Sequence, residues 1–124
     1  MRRGLTFDTV RRIGLELPGV EVGTMYGSPA LKVHSQWIAV MASNKAAEPN
    51  TLAVRMTFAD RDALIEEAAD TYYLKDHYVP YPCVLVRLSR IHPDALRDLL
   101  KGAWRFVQAT TQSKARPKKR KARQ

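Results

Sequence analysis

A chain of 124 residues with 45% apolar side chains is sized for a single hydrophobic core and one domain. Its longest unbroken apolar run, Trp37 to Ala42, is far short of the ~20 residues a membrane helix needs, and its one cysteine, Cys83, excludes an internal disulfide and any cysteine-based zinc motif. The net charge of +9 is unevenly spread: Lys114, Arg116, Lys118, Lys119, Arg120, Lys121 and Arg123 supply seven of the 21 cations, so residues 1–113 carry 14 cations against 12 acidic side chains and are only +2. The basic N-terminus, MRRGLTFDTVRR, lacks an apolar h-region and a small-residue cleavage site, so no secretory signal is expected and the cytoplasm is the expected location.

In chain order, Thr6 is placed to cap a first helix, with Asp8 in its first turn and Phe7, Val10, Ile13, Gly14 and Leu17 at helical spacing. Pro18-Gly19 stops it. Three short extended pieces follow, Val20 to Tyr26, Ala30 to Val33 and Trp37 to Ala42, punctuated by Gly27, Pro29 and the turn His34-Ser35-Gln36; Gly23 and Gly27 suit tight strand ends. After the polar loop Ser43 to Asn50, Thr51 to Met56 alternates as a strand. Thr57 caps a second helix, roughly Phe58 to Ala69, with Leu64, Ile65 and Ala68 as its expected buried side.

Thr71 to Leu88, TYYLKDHYVPYPCVLVRL, holds four of the five tyrosines, one of the three histidines and the cysteine. Its second half alternates with a strand's period of two, Val84, Val86 and Leu88 opposite Cys83, Leu85 and Arg87. Its first half carries Tyr78, Pro80, Tyr81 and Pro82, and the prolines predict a stiff, extended aromatic loop. Pro93 then opens the clearest helix, with Leu96, Leu99, Leu100, Ala103, Trp104 and Val107 at spacings of three and four. The reading is one domain over residues 1–108 and a basic, disordered tail over 109–124, which has no apolar residue larger than alanine beyond residue 113.

Five segments together resemble the YjbR-like (MmcQ) family of small bacterial proteins, catalogued as DNA-binding: LPGVE at Leu17 to Glu21, YGSPALKV at Tyr26 to Val33, LAVR at Leu52 to Arg55, DHYVPYPCVLVRL at Asp76 to Leu88, and DALRDLLKGAWRFV at Asp94 to Val107. The resemblance spans about Phe7 to Val107. It implies a two-layer α+β fold similar to secretion chaperones, an antiparallel sheet with helices on one face. Leu31 stands where the family usually has phenylalanine, and Gln36 where lysine is common.

If Leu31, Val33, Val54, Met56, Val84 and Val86 face the helices, then Lys32, Arg55 and Arg87 point from the opposite face, with Tyr26, His77, Tyr78 and Tyr81 at its rim. Cations interleaved with aromatics suit phosphates and stacked bases; the bland alternative is a solvated strand face with amphipathic tyrosines. The seven tail cations suit non-specific contact with phosphates, or solubility. His34, His77 and His92 lie on separate segments without metal-ligand spacing, Asp76-His77 beside Cys83 lacks an oxyanion motif, and no nucleotide-binding glycine loop occurs. The chain is therefore expected to be no enzyme and to need no metal or cofactor. Two readings stand: DNA as partner, bound non-specifically through phosphates by the sheet face, the tail or both; or a protein or small-ligand module using exposed Trp37, Met41, Leu85 and the tyrosines of that face.

Overall fold

The computed structural model describes residues 4–42 and 47–123, with side chains as far as Thr110. The elements run α1 (Phe7–Gly14), β1 (Glu21–Met25), β2 (Ser28–Val33), β3 (Gln36–Ala42), β4 (Thr51–Arg55), α2 (Phe58–Glu67), β5 (Tyr72–Tyr73), β6 (Cys83–Arg87) and α3 (Pro93–Arg123). All strand pairs are antiparallel, in the order β1-β2-β3-β4-β6-β5. The helices pack on one face, giving the expected α+β architecture. No helix among the described residues is long and apolar enough to cross a membrane.

The alternation in β2, β4 and β6 determines which side chains meet the helices. Leu31, Val33, Leu52, Val54, Val84 and Val86 join Val10 and Ile13 of α1 and Leu96, Leu100, Ala103 and Val107 of α3 in one buried core. From α2, Leu64, Ile65 and the following Ala68 only border that core; the buried side chain of α2 is Arg61. The first helix ends at Gly14, one turn before the expected Leu17, because the amides of Glu16 and Leu17 tighten onto the carbonyls of Ile13 and Gly14. Gly14 lies against Leu31, whose side chain a Cβ at that position would strike. Thr57 caps α2 by accepting from the Asp60 amide at 3.1 Å, whereas Thr6 precedes α1 without a side-chain cap.

Two hairpin turns depart from simple alternation. Tyr26-Gly27 and His34-Ser35 all have positive φ, the backbone that two-residue turns adopt to match strand twist. Gly27 serves such a turn, while Gly23 sits inside β1 opposite Ala30 and not at a strand end. The β2-β3 register shifts between Leu31 and Lys32, which pair with Ala39 and Trp37 and leave Ile38 as the extra residue. Ile38 and Ala39 therefore both enter the helix-side core, while Trp37 and Val40 belong to the other face.

That other face carries a second apolar cluster: Ala30, Val40, Ala42, Ala53, Tyr73 and Leu85 are buried, and Met25, Trp37 and Tyr78 pack against them. This corrects the expectation of exposed Met41 and Leu85. Leu85 is fully buried, and Met41 pairs with Leu52 and borders the helix-side core. The tail, expected to begin at residue 109, follows within α3, and its seven cations, Lys114 through Arg123, lie beyond the described side chains.

Candidate functional site

The loop between β5 and β6 folds over the helix-free face. It is not extended as the prolines suggested: Asp76–Tyr78 forms a 3-10 turn, and the amides of Tyr81 and Cys83 bond to the carbonyls of Tyr78 and Tyr81 at 3.0 and 2.8 Å. Val79 takes a right-handed helical conformation, φ −54° and ψ −41°, although a following proline disfavours it. The cause is Arg61. Its guanidinium, buried beneath the loop, donates to Val79 O at 2.9 Å and Tyr81 O at 3.0 Å. The same group lies 4.7 Å from the Phe58 ring and pairs with Asp62 at 3.2 Å.

Between this loop and the sheet lies a groove of about 540 Å³. Met25, Trp37, Val40, Ala42, Ala53 and Cys83 line it from the sheet, and Tyr26, His77, Tyr78 and Tyr81 supply its aromatic rim. Tyr26 stands 97% exposed on its hairpin turn, and Tyr81 is half exposed. His77 meets Tyr78 edge to face with ring centres 4.9 Å apart and lies 6.2 Å from Tyr81. These four side chains are brought together as the sequence predicts. Burial pushes the Cys83 thiol up to about 11, which disfavours its thiolate form.

A second cavity of about 310 Å³ adjoins the groove, sharing Met25, Trp37 and Tyr81 and adding Lys32, Ser35, Gln36 and Arg55. Arg55 lies between the rings of Trp37 and Phe106, 5.4 and 5.3 Å from their centres, with long hydrogen bonds of 3.4 Å to Gln36 Oε1 and Trp37 O. Burial holds its guanidinium below the ordinary arginine pKa. Among the described residues neither Lys32 nor Arg55 has a carboxylate within ion-pair distance. Glu21 is the cross-strand neighbour of Lys32.

Arg87 does not belong with them. It opposes Thr51 while Arg55 opposes Cys83, so the two arginines stand at opposite ends of the β4-β6 pair. Its guanidinium holds Glu48 through two 2.9 Å bonds, donates to the Ala69 and Asp70 carbonyls at 3.1 Å each, and covers the Tyr73 ring at 4.2 Å. The hydrogen bond to Glu48 raises the arginine's pKa and lowers the carboxylate's. Arg87 therefore anchors two loops, its guanidinium engaged by Glu48 and two backbone carbonyls.

The sequence reading missed Arg61 and the polar pair Ser35 and Gln36. No residue signal marks Arg61, since one arginine in an acidic helix reads as solvated. Among the described residues, no group of three or more histidine, cysteine, aspartate or glutamate side chains is arranged to hold a metal. The family model for YjbR matches residues 15–106. No curated protein and no solved structure matches the chain.

Proposed function

The chain belongs to the YjbR family, and on that premise we propose that it binds DNA in single-stranded form, with unpaired bases laid on the aromatic rim and phosphates against Lys32, Arg55 and the basic C-terminal segment. The observation that carries this reading is the groove: exposed aromatic faces lie beside two cations that, among the described residues, have no carboxylate within ion-pair distance. A duplex keeps its bases stacked inside and is held through many phosphates. A sheet face with two available cations is poorly equipped for that, whereas stacking on tyrosine or tryptophan suits any unpaired base. The groove's volume also lies in the range of small-ligand sites, which supports a planar small molecule as the second reading.

Salt dependence tests the proposal. On single strands each neutralised phosphate contributes about −0.7 to the slope of log affinity against log salt. With about five tail contacts plus Lys32 and Arg55, the full chain is expected to show a slope of roughly −5. A chain ending at Ser113 should retain about −1 to −2 and still prefer single strand to duplex. Equal slopes for both chains would remove the tail, and a preference for duplex, or no binding of either form at low salt, would refute the single-strand reading.

Replacing Tyr81 with alanine, alone and together with Tyr78, is expected to weaken single-strand binding by about 1–3 kcal/mol per lost stack. The thermal midpoint of the Tyr81 variant should barely move, because that ring is half exposed. Unchanged affinity in the double variant would place the bases elsewhere.

A further inference from the structure

The cavity at Lys32 and Arg55 gathers polar groups that suit a terminal phosphate as well as one within a strand. Deepening the single-strand reading, and resting on it for the base, we propose that this cavity is a subsite for a phosphate monoester, so that the groove takes a nucleotide whose phosphate is terminal. Its polar atoms suit such a group. Lys32 brings an ammonium, Ser35 a hydroxyl and Arg55 a guanidinium; Gln36 gives its Oε1 to Arg55, which leaves its amide nitrogen as a donor. The shared walls, Met25, Trp37 and Tyr81, put a stacked ring and this anion site within one molecule's reach.

Charge favours the terminal group. Glu21, opposite Lys32 in register, opposes any incoming anion, and a dianion held by two cations overcomes this better than a singly charged diester. The shared chemistry is a nucleoside monophosphate, either the phosphorylated end of a strand or a free mononucleotide.

The test uses the full chain and a short single-stranded oligonucleotide in three forms, 5′-phosphorylated, 3′-phosphorylated and without terminal phosphate, with a free deoxynucleoside 5′-monophosphate as competitor. One phosphorylated form is expected to bind about tenfold more tightly than the unphosphorylated strand. Lys32→Gln should abolish that difference and leave the thermal midpoint unchanged, while Lys32→Arg should restore it. Competition by the mononucleotide without phosphate-dependent strand binding would assign the subsite to the free ligand and abandon the single-strand reading. Strand binding indifferent to terminal phosphate and to Lys32→Gln, with no competition by the mononucleotide, would overturn the subsite while the single-strand reading stood. Failure of every form to bind would remove both.

Discussion

Truncating Leu100 to alanine is expected to lower the stability of the fold by about 2–5 kcal/mol. Leu100 is fully buried at the centre of the α3 stripe, among Leu96, Leu99, Ala103 and Val107. That stripe covers the middle of the sheet, against β2, β3 and β4, and also packs on α1. Trp104 adds a fixed point, donating through Nε1 to Pro18 O at 2.8 Å and tying the helix to the turn after α1. A urea or guanidinium melt checks the prediction. A loss below about 0.5 kcal/mol, the size of an indifferent surface change, would mean that this face does not hold the helix on the sheet.

The α3 stripe was legible because six apolar residues repeat at helical spacing over three turns, and burial of one face leaves no other assignment. β4 and β6 were legible for the same reason at a period of two, and their alternation correctly put Val54, Val84 and Val86 toward the helices. β5 is two residues long, too short for any period to register. The bulge at Ile38 was illegible because Trp37 to Ala42 is apolar throughout, so no polar position reveals which residue is the extra one.

The candidate site divides along the same line. Tyr26, His77, Tyr78 and Tyr81 were legible as a cluster because three of them share one loop and the fourth tops a glycine turn. Arg87 misled, since its carboxylate partner Glu48 lies 39 residues earlier in a loop and no local pattern announces that pairing. Leu85 misled because a strand face without helices was taken to be wet, whereas Tyr73 and the neighbouring loop give it a core of its own. That core gives the groove a dry floor, which strengthens whatever contacts its rim and its two cations make.

Replacing Arg61 with alanine is expected to cost about 1.5–3 kcal/mol of stability and to weaken ligand binding in the groove, although Arg61 touches no groove surface. The stability figure follows from losing charge-assisted hydrogen bonds to the Val79 and Tyr81 carbonyls; it stays at the lower end because both residues are exposed enough for water to replace the donor. The binding effect follows from backbone geometry. Without the guanidinium, Val79 is free to leave the helical conformation that Pro80 disfavours, and Tyr78 and Tyr81, on either side of that bond, lose their relative placement. Arg61→Lys keeps a cation near Phe58 but reaches fewer carbonyls, so it should fall between the two. Three measurements separate the effects: a denaturant melt, single-strand affinity well below both melting transitions, and hydrogen exchange at the Cys83 amide, which closes the loop onto Tyr81 O. Faster exchange at Cys83 together with weaker binding is the expected pair. A variant that loses stability yet keeps full affinity and slow exchange would show that the aromatic rim holds its shape without the arginine, and that the prolines and the 3-10 turn suffice.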